Sequence, residues 1–307
     1  MSVPGLVSIG IPVHNEARHL PELLESIISD SYPHKEIIIS DNASDDGSWE
    51  VIEAFCHDHS SKFPILTVCH EENRGALFNF QYVLSRSRGE FFIWAGGHDV
   101  WGPGMVEASV DVLRQEPDAA LAMPLVRWID SCSNILDMYH CVIDTTPAKT
   151  PAARVYLLFD QWRECTVIYG LHRRRTLLGT LPWPNTLGSD NIGLVRIACE
   201  GSITFVESTY YLRRARYDDE DTVKRQVQAL NLKGSARSFP RTTYRLSCFI
   251  EVAKVTGPFS DRLRLITRAY KELLGLAFFK TVLLEVSPRG YSIIRNARNR
   301  LLGTYRR

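Results

Sequence analysis

Apolar runs and helical spacings alternate along the first half of the chain. Leu6 to Val13 (LVSIGIPV) is apolar and rich in β-branched residues, and reads as a buried strand. Leu20, Leu23, Leu24, Ile27 and Ile28 then recur at the spacing of one helix face. Glu36 to Ser40 (EIIIS) is a second strand, and Ser48 can cap a helix carrying Val51, Ile52 and Phe55. Ile65 to Val68 reads as a third strand, Ala76 to Ser87 as a helix, and Phe91 to Ala95 (FFIWA) as a fourth strand. Beyond Trp101 the pattern is mixed. Met105 to Arg114, Arg154 to Asp160 and Asp190 to Cys199 read as helices; Leu121 to Val126, Val167 to Leu171 and Ile203 to Val206 read as strands. This alternation predicts an α/β fold with a mostly parallel, doubly wound sheet and flanking helices. In such sheets ligands bind beyond the carboxyl ends of the strands. Polar clusters stand at those places: His14-Asn15-Glu16 after the first run, Asp41-Asn42 after the second, His98-Asp99 after the fourth.

The chain has 307 residues, of which 45% are apolar, so a full core can be buried and disorder is excluded as the general state. Seven scattered cysteines form no CxxC pair, which fits a reduced, cytosolic setting. The start of the chain lacks the pattern of a cleavable signal. The longest apolar candidate for a membrane span, Leu273 to Val286, is cut by Lys280. A net charge of +1 hides an asymmetry. Met1 to Val223 holds 18 Lys/Arg and 31 Asp/Glu, whereas Lys224 to Arg307 holds 18 and 4. The expected division is therefore a domain over residues 1–215 and a basic, mainly helical C-terminal region over 216–307, joined through the acidic run Asp218 to Asp221 as an exposed connection.

An ordered set of segments gives the chain a family likeness. VSIGIPVHNE (Val7 to Glu16), IIISDNASDDGS (Ile37 to Ser48), NRG (Asn73 to Gly75) and WAGGHDVW (Trp94 to Trp101) together resemble the family-2 glycosyltransferases of bacterial surface-polysaccharide type. The resemblance spans roughly residues 5 to 215 and implies a GT-A nucleotide-sugar fold. It implies a donor site made of Pro12, His14, Glu16, Asp41, Asn42, Asn73, Gly75, Asn79, Gly97 and His98. Pro12 fixes the chain as it leaves the first strand, and Glu16 offers acceptors for a ribose or base. Asp41 is the residue implied to read the base, because a carboxylate accepts the imide hydrogen of uracil. The alternative is that DNASDDGS is a polar turn and helix cap.

A departing diphosphate needs its charge met, commonly by a divalent metal. Members of the family usually carry an acidic pair or triplet where this chain has Gly96, Gly97, His98 and Asp99. Asp99 and His98 are the expected metal contacts, for Mn²⁺ or Mg²⁺, with imidazole favouring Mn²⁺. Two alternatives stay open: His98 meets the diphosphate directly as a cation, or it only hydrogen-bonds within the loop.

An inverting transfer also needs a base for the acceptor hydroxyl. By resemblance that base is Asp190, at the start of the helix in WPNTLGSDNIGLVRIACEGSITFVE (Trp183 to Glu207), the alternative being a plain helix cap. His172 is a candidate to face the site. Arg213 and Arg214 are candidates to neutralise phosphate or are surface charge.

The basic tail mixes Leu263, Leu265, Ile266, Tyr270, Leu273, Leu274 and Leu276 with frequent Lys and Arg. That suits an anionic membrane surface and a lipid-linked acceptor, placing the enzyme peripherally on the inner face of the cytoplasmic membrane. The competing arrangement packs these helices on the acidic domain or on a second subunit of a homo-oligomer. Nucleic acid is excluded as a partner, since no recognition motif or stacking platform is present. The expected function is transfer of a sugar from a UDP-sugar or related nucleoside-diphosphate donor to a glycan or lipid-linked hydroxyl. The alternatives are a lapsed GT-A module that binds a nucleotide or partner without turnover, and a nucleotidyltransferase, which the missing glycine-rich loop after the first strand disfavours.

Overall fold

The structure is a computed structural model that describes residues 2–136, 142–162, 166–215 and 222–286. The acidic run at Asp218 to Asp221 lies outside these residues. The first half alternates as expected: β1 (Val3–Val13), α1 (Leu20–Ser29), β2 (Lys35–Asp41), α2 (Ser48–His59), β3 (Ile65–Cys69), α3 (Ala76–Arg86) and β4 (Gly89–Trp94). There follow β5 (Val100–Trp101), α4 (Met105–Gln115), β6 (Ala119–Ile129), β7 (Ile135–Leu136), α5 (Pro151–Gln161), a 3₁₀ turn (Thr166–Tyr169), β8 (Leu171–Arg173), α6 (Arg174–Gly179), α7 (Ser189–Glu200) and β9 (Ser202–Arg214). The C-terminal part comprises α8 (Thr222–Ala229), α9 (Gly234–Ser238), α10 (Pro240–Ala253), α11 (Phe259–Ala269), a π turn (Tyr270–Leu274) and α12 (Leu276–Val286).

Among the described residues the strands form one sheet in the order β3-β2-β1-β4-β8-β6-β9-β5, with β7 on β6. The block β3-β2-β1-β4 is parallel throughout. β8 enters antiparallel between β4 and β6, while β6 and β9 run parallel. Every residue of β2 is buried, which is why its centre, Ile37 to Ile39, is an unbroken apolar triplet rather than an alternation. Each fully buried isoleucine there contributes roughly 1.5–3 kcal/mol. Lys35 opens this strand and is itself buried; its ammonium donates to the Ile27 and Asp30 carbonyls at the end of α1, meeting acceptors the helix leaves over. Burial lowers the Lys35 pKa, and Asp30 partly restores it.

Two expectations are corrected. Val167 to Leu171 is not a strand: Thr166–Tyr169 forms the 3₁₀ turn, and pairing with β4 begins only at Leu171, after Gly170. Gly170 is packed so closely on β6 that a Cβ would lie 2.5 Å from the Ala122 carbonyl oxygen. Ser48 is not the cap of α2 either. Gly47 (φ 92°) holds that position, and Ser48 is the first helical residue.

The basic tail is not a detached unit. Arg196 of α7 forms a paired bond with Glu251 of α10, at 2.9 and 3.2 Å, and Thr150 before α5 donates to Asp261 of α11 at 2.7 Å. Large apolar side chains nevertheless remain on the outer face of these helices: Ile250 is 54% exposed, Phe259 80% and Leu263 54%. No helix among the described residues is long and apolar enough to cross a membrane.

Candidate active site

The ends of β1, β2 and β4 and the start of α3 converge. After β1, Asn15 takes a left-handed conformation (φ 56°) and is laced to the loop after β2. Its backbone N–H donates to Ser44 Oγ, its side-chain amide donates to Asp45, and Asp45 N–H donates back. One step on, Glu16 N–H donates to Ser48 Oγ, and Ala17 N–H donates to Asp46. Burial pushes the Asp46 carboxyl up, but bonds from Ser48 and Ala17 outweigh it and leave the group below its ordinary value. The DNASDDGS segment thus builds the wall against which the first loop is set.

Asp41 is fully buried, and its carboxylate accepts from the Ser44 N–H at 3.0 Å and the Ser44 hydroxyl at 2.5 Å. Asn42 donates to Asn73 Oδ1 at 2.9 Å and accepts from Arg74 N–H at 3.0 Å. Asn73 reaches His14 Nε2 at 2.9 Å, and its Oδ1 also accepts from Gly75 N–H. His14, Asn42, Asn73 and Gly75 are therefore one network. Gly75 (φ 89°) is also a point of close approach: a Cβ there would lie 2.9 Å from the Leu230 carbonyl oxygen, just after α8. Pro12 lies beyond the last β1–β4 pair, Gly10 with Trp94. Asn79 is a correction. It does not lie along an open site but is buried, donating to the Val13 and Ser40 carbonyls and clamping β1 to β2.

At the end of β4 the geometry differs from expectation. Asp99 is 2% exposed. Its Oδ2 accepts from the Tyr211 hydroxyl at 2.6 Å, and its Oδ1 from the Arg214 N–H at 2.8 Å. Both donors lie on β9, so Asp99 ties the β4 loop to that strand. Removing the carboxylate would leave two buried donors unpaired, each at a cost of about 1–3 kcal/mol. Burial raises the Tyr211 pKa well above its ordinary value, and the Asp99 charge adds to this, so the phenol stays protonated and donates. The carboxylate also lies over Gly96, where a Cβ would come 2.6 Å from Asp99 Oδ2. His98 Nδ1 lies 3.0 Å from Glu16 Oε1, and its Nε2 lies 3.8 Å from Asp99 Oδ1. Glu16 packs over Gly97, its Cγ 2.8 Å from where a Cβ would stand. Among the described residues no three His, Cys, Asp or Glu side chains converge as a cation site. The expected pairing of Asp99 and His98 on a metal does not fit this donor set, because the Asp99 carboxylate is turned into the protein and held there.

Asp190 lies in the first turn of α7. Gly188 (φ 64°) holds the cap position, so Asp190 is not the cap. It lines a cavity of about 430 Å³ together with Phe80, Tyr169, Trp183, Asn191 and Tyr244. Ala76 and Leu77, next to the Asn73–Gly75 turn, line the same cavity. Asn191 donates to the Tyr244 hydroxyl at 3.0 Å, while its own Oδ1 is buried without a partner. A larger cavity, about 670 Å³, lies between α5 and α11, away from the strand ends.

Three basic candidates have partners within the fold. His172 is fully buried on β8, edge-on to Trp94 at 5.4 Å, with Nε2 bonded to the Ile168 carbonyl. Arg214 is buried and spreads its guanidinium over the His98 and Asp130 carbonyls, Ser133 and Glu22. Arg213 donates to Thr166 and lies over the Trp128 ring. Sequence reasoning missed Tyr211 and Tyr169, whose rings stack at 5.7 Å and link Asp99 to the wall of the Asp190 cavity. The sequence offered only two adjacent tyrosines, Tyr210 and Tyr211, with nothing to mark which one faces inward.

Residues 8–150 match the family model described as Glycosyl transferase family 2. An uncharacterized glycosyltransferase of Rickettsia felis is 31% identical over 111 residues, covering 36% of this chain and 17% of that protein. The chain spans less than half the length of the curated relatives it matches. Among solved structures, S. aureus TarS 1-349 in complex with UDP-GlcNAc superposes with a TM-score of 0.64 at 14% identity, over 94% of this chain and 75% of that one. The mannosyltransferase PcManGT of Pyrobaculum calidifontis, in complex with GDP-Man and Mn²⁺, gives 0.61 at 15% identity, over 96% and 79%. These likenesses fix the GT-A type of fold.

Proposed function

We propose, from the premise that residues 8–150 form a family-2 glycosyltransferase domain, that the chain transfers a sugar from a nucleoside-diphosphate donor to an acceptor hydroxyl. The observation that carries this reading is one cavity lined both by Ala76 and Leu77, which follow the Asn73–Gly75 turn, and by Asp190. It lets a donor held at the strand ends meet an acceptor held against α7. The His14, Asn42, Asn73 and Gly75 network positions the nucleotide, and Asp41 sets the loop that faces its base. UDP is the nucleotide chosen for the first test, in line with the UDP-GlcNAc complex of the similar TarS fold.

Asp190 is the base. Its carboxylate takes the proton of the acceptor hydroxyl as that oxygen bonds to the anomeric carbon. The bond from that carbon to the diphosphate oxygen breaks, and the nucleoside diphosphate leaves with the electron pair. Attack from the face opposite the leaving group inverts the anomeric centre. Trp183, Tyr169 and Tyr244 supply flat apolar faces on which a sugar ring packs. The glycan or lipid-linked nature of the acceptor rests on the outer face of α10 and α11. There Ile250, Phe259 and Leu263 stand among Lys254, Arg262 and Arg264, a composition suited to an anionic leaflet.

The test is transfer from a UDP-sugar panel by Asp190→Asn alongside calorimetry with UDP. Loss of transfer with unchanged UDP affinity is expected; normal transfer removes Asp190 from the role. A lapsed binding module is the second reading, favoured by the glycine at 96 and the internal commitment of Asp99. UDP binding without product from any donor would decide for it.

A further inference from the structure

We infer that the donor diphosphate is bound here without a divalent cation, the His98 imidazole standing between the Glu16 and Asp99 carboxylates where a cation would otherwise be held. The inference rests on the nucleotide-sugar reading above and concerns the same strand end.

Three observations carry it. First, His98 faces one carboxylate through each ring nitrogen, Glu16 at 3.0 Å through Nδ1 and Asp99 at 3.8 Å through Nε2. A hard divalent cation seeks carboxylate and water oxygens, and the ring occupies the gap between these two carboxylates. Second, Asp99 is not available to move toward a ligand. Both its oxygens accept buried hydrogen bonds from β9, and Arg214, which supplies one of them through its N–H, also grips the His98 carbonyl through its guanidinium at 2.8 Å. The loop that would have to turn Asp99 outward is fastened from behind. Third, the backbone leaves no room for a further carboxylate. Any side chain at position 96 meets Asp99 Oδ2 at 2.6 Å, so the glycine and the inward Asp99 are one arrangement. At position 97 the space above the backbone is taken by Glu16. The residues that make cation binding unfavourable are thus mutually dependent.

The experiment is calorimetric titration of UDP into the full chain, in EDTA and in millimolar Mn²⁺, with wild type and His98→Asp. The wild type is expected to bind UDP with affinities within about twofold of each other in the two buffers. His98→Asp, which returns an oxygen ligand to the gap, is expected to tighten by about tenfold or more when Mn²⁺ is added. Circular dichroism confirms that the variant is folded, and His98→Gln, which restores no carboxylate, is expected to stay indifferent to Mn²⁺. Tightening of the wild type by tenfold or more with Mn²⁺ overturns the inference. So does a wild type and a His98→Asp variant that are equally indifferent, since His98 would then not hold the cation's place. A protein that binds no UDP in either buffer refutes the UDP-donor reading itself and takes this inference with it, a distinct and recognisable outcome.

Discussion

The Tyr211 hydroxyl donates to Asp99 across 2.6 Å, joining residues 112 positions apart in the chain and fixing the end of β4 to β9. The bond is buried and its acceptor is charged, so it belongs to the stronger class. Tyr211→Phe keeps the ring and its stack on Tyr169 while deleting this one bond. The expected loss is about 2 kcal/mol of stability, read from urea unfolding. A loss below about 0.5 kcal/mol would mean that water replaces the hydroxyl, which the burial of both residues argues against.

Acid should destabilise the fold through His172. Burial lowers its pKa from 6.5 to about 4, with the bond to the Ile168 carbonyl opposing the shift. In the unfolded chain the imidazole takes a proton below about 6.5, while in the native core it stays neutral down to about 4. The unfolded state therefore binds more protons in that window, and stability rises with pH across it. The contribution is complete above the unfolded value and is lost as pH falls, by about 2 kcal/mol between pH 7 and 5. Denaturant midpoints at the two pH values, compared between wild type and His172→Leu, check this. The variant should show a shallower pH dependence; an unchanged slope would assign the acid sensitivity elsewhere.

The Cys248 and Cys199 thiols should be inert. Burial pushes Cys248 up to about 12 and Cys199 up to about 11. Since the thiolate is the reactive form, neither should be alkylated at neutral pH in the native protein. The exposed Cys132 should be modified readily. Peptide mapping after a short iodoacetamide pulse separates them, and native-state modification of Cys248 would contradict its packing between α10 and the core.

Vesicle sedimentation tests the outer face of the tail. With phosphatidylglycerol vesicles, Phe259→Asp with Leu263→Asp should weaken association by about tenfold or more, because each change removes apolar contact and adds a repelled charge. UDP binding should be unaffected. Equal association of wild type and variant would return these residues to the role of ordinary exposed side chains.

Much of the fold was legible in the sequence because the central residues of β1, β2 and β4 are buried on both faces and so read as short, mainly apolar runs. The helices of the first half were legible through Leu20, Leu23, Leu24 and Ile27, all buried on one face. The insertion of β8 between β4 and β6 was not, because a three-residue strand carries too little pattern to show its direction. In the site, the polar residues after each strand were correctly located, since the strand ends themselves were. Their orientation was hidden. Asp99 looked outward in the sequence because its partners, Tyr211 and Arg214, lie on a distant strand. Asn79 looked like a ligand because nothing local reveals that its amide spans the Val13 and Ser40 carbonyls. Arg214 gathers partners from positions 22, 98, 130 and 133, a convergence that only the folded chain displays.

The close approach of Leu230 to Gly75 has a consequence for how the protein can be rebuilt. The peptide after α8 leans on the turn that follows β3, accepts a bond from Asn185 at 3.3 Å, and lines the cavity beside Asp190. On the function proposed above, donor and acceptor compartments share a roof that belongs to the basic tail. A chimera that swaps residues beyond 222 for those of a relative exchanges part of the wall of the Asp190 cavity along with the outer apolar face of α10 and α11. Grafting the tail alone is therefore expected to redirect which hydroxyl is glycosylated while leaving the choice of nucleotide with the host.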